Sequence, residues 1–439
     1  MSPEMIGLIG LIVFVVLMGL KLPIAVSMAV VGVVGFACLT SVKAALNIIP
    51  SDLYSTFSSY NMSTIAMFVL MGYLACYSGL TSKLYDFTYK LVGRQRGGLA
   101  SASIIACTIF GAICGSYAAT ASIVGSAAIP EMRKRNYSAG LATATIAAGG
   151  VIGTLIPPSV TFIIYGNAVQ QSVSKLFISG IVPGILVCLC DIFAILIITK
   201  RNPALGPAGT DPRPSGRELL HAARTGLIQV AIVFIISIGG LFFGWFTPTE
   251  AGGIGSVGIV LIALFTRSMN WGSFVSALRD STKTISMILF MIGGATIFGR
   301  FIAISQIPAW IGRTVASLET PRIVVMFVIF LIYVFLGCFM DTIPMILLTA
   351  PIFYPVVVTQ LGYDPIWFGA IVIMCTCIGA ITPPVGANVY VTKGLAPDVP
   401  LEKIFRGVWP FVVSTSAATI LVLLLPFLAT GLPKLLGIM

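Results

Sequence analysis

The sequence predicts an all-α polytopic membrane protein made of two inverted repeats, each with a re-entrant helical hairpin and a discontinuous helix. Three observations carry that expectation. Of 439 residues, 58% are hydrophobic and only 9% charged, with a mean hydropathy of +1.05, whereas an ordinary soluble domain is about a quarter charged. Soluble enzymes and nucleic-acid binders are excluded on that ground, and the surplus of 25 Lys+Arg over 14 Asp+Glu reads as basic cytoplasmic loops. Apolar runs of bilayer length recur along the chain, but two are too long for one span and too short for two. Finally, Gly111, Gly153, Pro157 and Pro158 recur as Gly337, Gly379, Pro383 and Pro384 at a single offset of 226 residues. Matched residues in matched elements are what an internal repeat leaves behind.

A hydrocarbon core about 30 Å thick asks for about 20 apolar residues per helix. The runs are 6–20, 22–40, 61–80, 99–130, 138–168, 176–199, 226–246, 250–266, 284–305, 322–358, 366–396 and 408–430. The first follows Glu4 instead of a basic leader and reads as a retained span, so residues 1–82 are expected to be N-terminal scaffold spans. Residues 83–199 form the first repeat's transport elements, with a hairpin at 99–130, a broken helix at 138–168 and a following span. Lys83, Lys90, Arg94 and Arg96 precede that hairpin and Arg133, Lys134 and Arg135 follow it, so both of its ends face the cytoplasm. Counted on from there, nineteen of the 25 basic residues fall on one side. Residues 200–225, with Pro203, Pro207, Pro212 and Pro214, read as a cytoplasmic linker. Residues 226–321 then supply scaffold spans of the second half. Residues 322–407 hold the second hairpin (322–358) and second broken helix (366–396), and 408–439 a C-terminal span. Five spans separate the hairpins, so the second enters from the opposite face and the halves are inverted.

Chemistry concentrates at four places. A Pro-Pro pair removes two N–H donors and clashes with the preceding turn, so both helices must break, near Gly153–Pro158 and near Gly379–Gly386. Carbonyls freed at membrane depth are tolerated where they line a cavity or bind something, which for oxygen ligands points to sodium; a packing kink is the simpler alternative. Paired broken helices in inverted repeats are the signature of secondary transporters. Each hairpin has a polar tip: Gly111 to Thr120 in the first, with Gly115 and Ser116, and Gly337 to Pro344 in the second, with Asp341 and Thr342. A carboxylate in an apolar run costs about 3 kcal/mol at the bilayer centre and is a functional candidate. Asp341 therefore reads either as a sodium ligand or counter-charge or as a cap that orients the tip. Asp191, on an unbroken helix, reads as paired with a neighbouring span. Arg300 either meets an anionic substrate or snorkels from a span end.

Other signals carry less. Cys107, Cys114, Cys188, Cys190, Cys375 and Cys377 lie in apolar runs, and the two C-x-C pairs lack zinc spacing and histidine partners, His221 being the single histidine. Neither disulfides nor a transition-metal site is expected. Gly253, Gly255 and Gly258 spell G-x-G-x-x-G without a β-α-β context and suit close helix packing. The absence of a P-loop, a G-x-S-x-G elbow and an H-E-x-x-H motif argues against ATP use and against an enzyme.

The blocks Gly111 to Met132, Gly153 to Ser159, Ile181 to Gly184, Phe246 to Ala251, Gly337 to Pro355 and Gly379 to Gly386 resemble, in order, the large membrane subunit of the tripartite ATP-independent periplasmic (TRAP) transporters of the ion transporter superfamily. The resemblance implies a sodium-driven elevator in the bacterial inner membrane, in which hairpins and broken helices carry substrate across a static scaffold. It implies two partners, a small four-helix membrane subunit and a periplasmic substrate-binding protein, and carboxylate substrates such as C4-dicarboxylates or sialic acids. By position, sodium would meet Gly115 and Ser116 against Gly153 and Pro157, and Gly337, Asp341 and Thr342 against Gly379, Thr382 and Pro383. Thr154, Ser159 and Asn388 would lie on the substrate side. Ala66 and Cys375 stand where many members have proline and asparagine. A stand-alone sodium/dicarboxylate carrier is the competing reading, while a passive channel would need a continuous polar stripe.

Overall fold

The computed structural model describes residues 2–209, 214–317 and 320–437. Residues 210–213 of the expected linker, with Pro212 and Arg213, and the last two residues of the C-terminal segment lie outside the described residues. Every regular element among the described residues is helical.

The chain opens with α1 (Pro3–Gly19), α2 (Ile24–Leu39), α3 (Val42–Phe57) and α4 (Asn61–Tyr77), followed by α5 (Leu80–Val92). Ser2 and Ser41 start α1 and α3 by accepting the N–H of Met5 and Ala44, as N-caps do. Helices α3 and α4 meet at 56°. Neither α3 nor α5 is an apolar run. Lys43, Asn47, Asp52 and Ser55 in the one, and Lys83, Asp86 and Lys90 in the other, hide them from a hydropathy scan. Next come α6 (Gly98–Cys114), α7 (Tyr117–Lys134), α8 (Ala139–Ile152), α9 (Val160–Ala168) and α10 (Val173–Arg201). Helices α6 and α7 form the first hairpin, turned at Gly115 and Ser116; α8 and α9 are the halves of the first discontinuous helix.

Helices α11 (Gly216–Ala222), α12 (Ile228–Phe234) and α13 (Gly240–Phe242) run on through two π turns as one rod that begins inside the expected 200–225 linker. Ser215 and Glu218 make a reciprocal capping box, a local start signal that acts before the apolar run begins. The same device, Thr247 with Glu250, starts α14 (Pro248–Phe265), which leads into α15 (Trp271–Ile304) and the short α16 (Ile307–Ser317). The second repeat has α17 (Arg322–Gly337) and α18 (Thr342–Tyr354) as its hairpin and α19 (Pro365–Ile381) with α20 (Ala387–Leu395) as its discontinuous helix. Helices α21 (Leu401–Leu424) and α22 (Phe427–Leu435) close the chain. Six helices among the described residues are long and apolar enough to cross a membrane, and α3 with α4 make a seventh crossing if they count as one bent span. This is a multi-pass membrane protein.

The helices pack in two sets. In one, α15 lies along α2, α3 and α4, and α14 lies along α4; this set meets the other where α15 packs on α18 and α4 on α6 and α9. In the other, α8 is enclosed by α6, α7, α20 and α21, and α19 by α10, α17, α18 and α21. Residues Gly140–Ile152 of α8 and Ile366–Ile381 of α19 are all buried, which explains why these helices are apolar or small on every face. Each hairpin touches its own discontinuous helix through bare backbone. A Cβ at Gly111 would lie 2.3 Å from Cα of Gly153, and a Cβ at Gly379 would lie 2.4 Å from Cα of Gly337. The guanidinium of Arg133, at the end of the first hairpin, grips Asp398, just past α20, with bonds of 3.0 and 2.6 Å, tying the repeats at the basic surface.

Gly111→Ala is expected to lower stability by about 1–3 kcal/mol, the range for overpacking. Gly253→Ala, whose Cβ would meet nothing within 4 Å, should be neutral or slightly stabilising; thermal unfolding in detergent compares the two. A second prediction concerns acid. Hydrogen bonding from Arg133 holds the Asp398 carboxyl below its ordinary value of 3.8, so its contribution to stability is fully present above that value and is lost as pH falls through the lowered one. The stability gap between the wild type and Asp398→Asn should therefore shrink as pH falls below the ordinary value of 3.8 and through the lowered one, and also with added salt, since the pair is exposed.

Candidate functional site

The two breaks are satisfied locally and then meet the hairpin tips. In the first, Ser159 donates its hydroxyl to the Thr154 carbonyl at 2.5 Å and accepts the Phe162 N–H at 3.4 Å, so one side chain both occupies a freed carbonyl and caps α9. The Val160 N–H donates to the Gly115 carbonyl at 3.4 Å, and the Val385 N–H at the second break donates to the Cys338 carbonyl at 3.1 Å. Gly115 has φ +62°, and a Cβ there would lie 2.3 Å from the Pro158 carbonyl oxygen. This tip position requires glycine on both counts.

The tips also meet each other. Tyr117 donates its hydroxyl to Asp341 Oδ1 at 2.5 Å, and the same oxygen accepts the Thr342 N–H at 2.6 Å. Asp341 thus caps α18 and joins the two repeats. Around this bond lies a cavity of about 530 Å³ lined by Gly115, Ser116, Tyr117, Thr154, Thr161, Asp341 and Thr342 on one side, and by Tyr73, Cys76, Tyr77, Thr284 and Met287 on the other. The second wall is braced by Tyr73 to Thr284 at 2.8 Å and by Tyr77 donating to Asp280 at 2.5 Å. Three helix N-termini, those of α7, α9 and α18, reach the cavity through Tyr117, Thr161 and Thr342, and each carries partial positive charge. Among the described residues the lining has one carboxylate and neither Lys nor Arg. A larger groove of about 920 Å³ lies between α12 and α14, but its lining is almost wholly apolar, with Ile232, Val257, Leu261 and Phe265, and Glu250 as its one charged residue among those described.

Of the residues singled out from sequence, the structure brings Gly115, Ser116, Thr154, Asp341 and Thr342 to this cavity. Gly153, Gly337 and Gly379 lie behind it at the backbone crossings. Thr382 bonds the Ile378 carbonyl at 2.6 Å, in the half-exposed second break with Pro383, whereas Pro157 is buried in the first. Ser159 and Asn388 are fully buried and do not line the cavity. Asn388 donates to the Ala147 carbonyl at 2.6 Å; its Oδ1 has no partner among the described residues. Arg300 lies elsewhere and neither lines the cavity nor snorkels free. It makes a two-pronged pair of 2.7 and 2.6 Å with Asp52, a carboxylate 1% exposed. Asp191 is paired, with Ser414 donating to it at 2.5 Å. Tyr73, Cys76, Tyr77 and Thr284 carry no sequence signal of their own, because α4 and α15 are brought together only by packing.

The family described as the DctM component of the tripartite ATP-independent periplasmic transporter matches residues 11–428. The chain belongs to that family. It is 36% identical, over 88% of its own length and 89% of the relative's, to a C4-dicarboxylate TRAP transporter large permease protein of Pseudomonas aeruginosa. It is also 30% identical, over 94% and 95%, to a sialic acid TRAP transporter large permease protein of Vibrio cholerae. The crystal structure of the Alcanivorax borkumensis YdaH transporter, described as having an unusual topology, has the same fold at a TM-score of 0.59 and 14% identity, covering 91% of this chain and 89% of that one. A DctM-family chain is a transporter permease and no enzyme, and a tripartite system has two further components.

In this permease Arg300 answers a buried carboxylate. Arg300→Met should cost about 1–3 kcal/mol, below the full range for breaking a buried pair because the arginine is half exposed. Asp52→Asn in the same chain should recover part of that loss in thermal unfolding. A large rise in KM with unchanged stability would instead assign Arg300 to the substrate.

Proposed function

We propose that the chain is the membrane-embedded permease of a sodium-coupled, binding-protein-dependent symporter that imports an organic acid by an elevator movement. The observation that carries this reading is the cavity between the tips. Three helix N-termini and a ring of hydroxyls favour an anion, yet the only charged side chain in the described lining is the carboxylate of Asp341. An anion beside a carboxylate in a partly desolvated site needs a cation, since like charges close together cost several kcal/mol at low dielectric. Sodium suits the oxygen-rich surroundings. Its ligands would come from Gly115, Ser116, Gly153 and Pro157 at the first tip and from Gly337, Asp341, Thr342, Gly379, Thr382 and Pro383 at the second. Thr154 is best placed for the substrate, with Ser159 and Asn388 supporting the wall behind it.

The relatives named for C4-dicarboxylate and sialic acid support a carboxylate substrate. The two packing sets support a rigid movement. The long-range bonds Tyr117–Asp341, Arg133–Asp398 and Gln171–Tyr354 stay within one set, while Thr64–Thr249, Tyr73–Thr284 and Arg300–Asp52 stay within the other. The cavity's second wall combines the last turns of α4, which lead in the chain to Lys83, Lys90, Arg94 and Arg96, with α15 at Thr284 and Met287, which follow Arg267, Arg279 and Lys283. Under the positive-inside rule this is an inward-facing state in the bacterial inner membrane.

The test is uptake of labelled succinate into proteoliposomes containing the chain and a small four-helix membrane subunit, with and without a periplasmic binding protein and an inward sodium gradient. Uptake should require both. Uptake of free succinate without the binding protein would mark a stand-alone carrier. Asp341→Asn or Ser116→Ala should raise the sodium concentration for half-maximal uptake about tenfold or more, as loss of one charge-assisted contact would; unchanged sodium dependence in a correctly inserted variant would remove that residue from the ion site.

A further inference from the structure

One polar contact crosses from one packing set to the other at the cavity. The thiol of Cys76, on α4, lies 3.9 Å from the thiol of Cys114, the last residue of α6 before the first tip. Both residues line the cavity, Cys76 half-buried and Cys114 buried. The backbones are also close. A Cβ at Gly72, one turn before Cys76, would lie 2.8 Å from the Cys114 carbonyl oxygen and 3.3 Å from its Cα. An S–S bond is about 2.05 Å long and needs neighbouring Cβ atoms, so the thiols have about 2 Å to close.

We propose that Cys76 and Cys114 form an oxidation site whose disulfide fastens the first hairpin tip to the α4 wall and stops transport. The oxidant class is a peroxide small enough to enter the cavity. It converts the more accessible Cys76 thiol to a sulfenic acid and releases one water; the Cys114 thiol attacks that sulfur and expels a second water. Two thiols lose two protons and two electrons, one S–S bond forms, and one hydrogen peroxide becomes two waters. A thiol reductant reverses the change. That the bond arrests transport rests on the rigid movement proposed above; that it forms rests only on the geometry.

The experiment treats the permease, reconstituted with its membrane subunit and supplied with the binding protein, with hydrogen peroxide. Peptide mapping under non-reducing conditions follows the Cys76–Cys114 link, and labelled succinate uptake is read before and after dithiothreitol. Expected are a cross-link between these two cysteines, a fall in uptake of at least tenfold at full cross-linking, and recovery on reduction. In Cys76→Ser and Cys114→Ser, uptake relative to the same untreated variant should resist peroxide. Hydrogen exchange of the tip amides, which needs no substrate, should slow in the oxidised wild type alone. Absence of the cross-link would overturn the proposal and leave the transport reading standing. A complete cross-link with undiminished uptake would overturn the arrest, and with it the movement of the first tip against α4.

Discussion

The constraint on which the rest of this structure depends is the fate of backbone groups freed where two helices break inside an apolar protein. Each break leaves carbonyl and amide groups that neither lipid nor aliphatic side chains can satisfy. The chain answers by pressing a hairpin against each break at a glycine pair, Gly111 with Gly153 and Gly337 with Gly379, so that main chain reaches main chain. From that contact follow the Val160–Gly115 and Val385–Cys338 bonds, the buried Ser159 hydroxyl, and the all-round apolar character of α8 and α19. A side chain at any of these glycines would hold the elements apart and strand the freed groups.

A second consequence is electrostatic. Bringing two tips together places the starts of α7, α9 and α18 around one cavity, concentrating partial positive charge without a cationic side chain. Asp341 supplies the only full charge of the described lining and is held by Tyr117 and by its own helix start. Three helix starts beside one fixed carboxylate, with neither Lys nor Arg in the described lining, are consistent with the anion and small cation proposed above.

The polar contacts divide as the packing does. Hydroxyl and ion pairs join α3, α4, α14 and α15 in one body, to which α2 adds by packing on α15, and join the repeats' hairpins and broken helices in the other, while the boundary near the cavity carries the two thiols. Strong, directional bonds across that boundary would fix one arrangement. The weak thiol contact between Cys76 and Cys114 is consistent with the rigid movement proposed above and is where the proposed disulfide would oppose it.

The sequence by itself determined the membrane class, the two hairpins, the two breaks and the identity of both tips, because hydropathy, charge bias and Pro-Pro pairs act over one or two turns of chain and do not wait for partners. The amphipathic α3 and α5 were not legible, since polar residues that face an interface or a neighbouring helix lower hydropathy as loops do. Nor was the early start of α11, where a Ser215–Glu218 capping box overrode a proline-rich context. Only the tertiary structure decided that Arg300 answers Asp52, that Ser159 and Asn388 face inward, and that Tyr117, Tyr73, Cys76 and Thr284 belong to the cavity. Those assignments depend on which helices touch, over separations such as the 248 residues between Asp52 and Arg300, and packing of whole helices is settled by summed burial that no local pattern encodes.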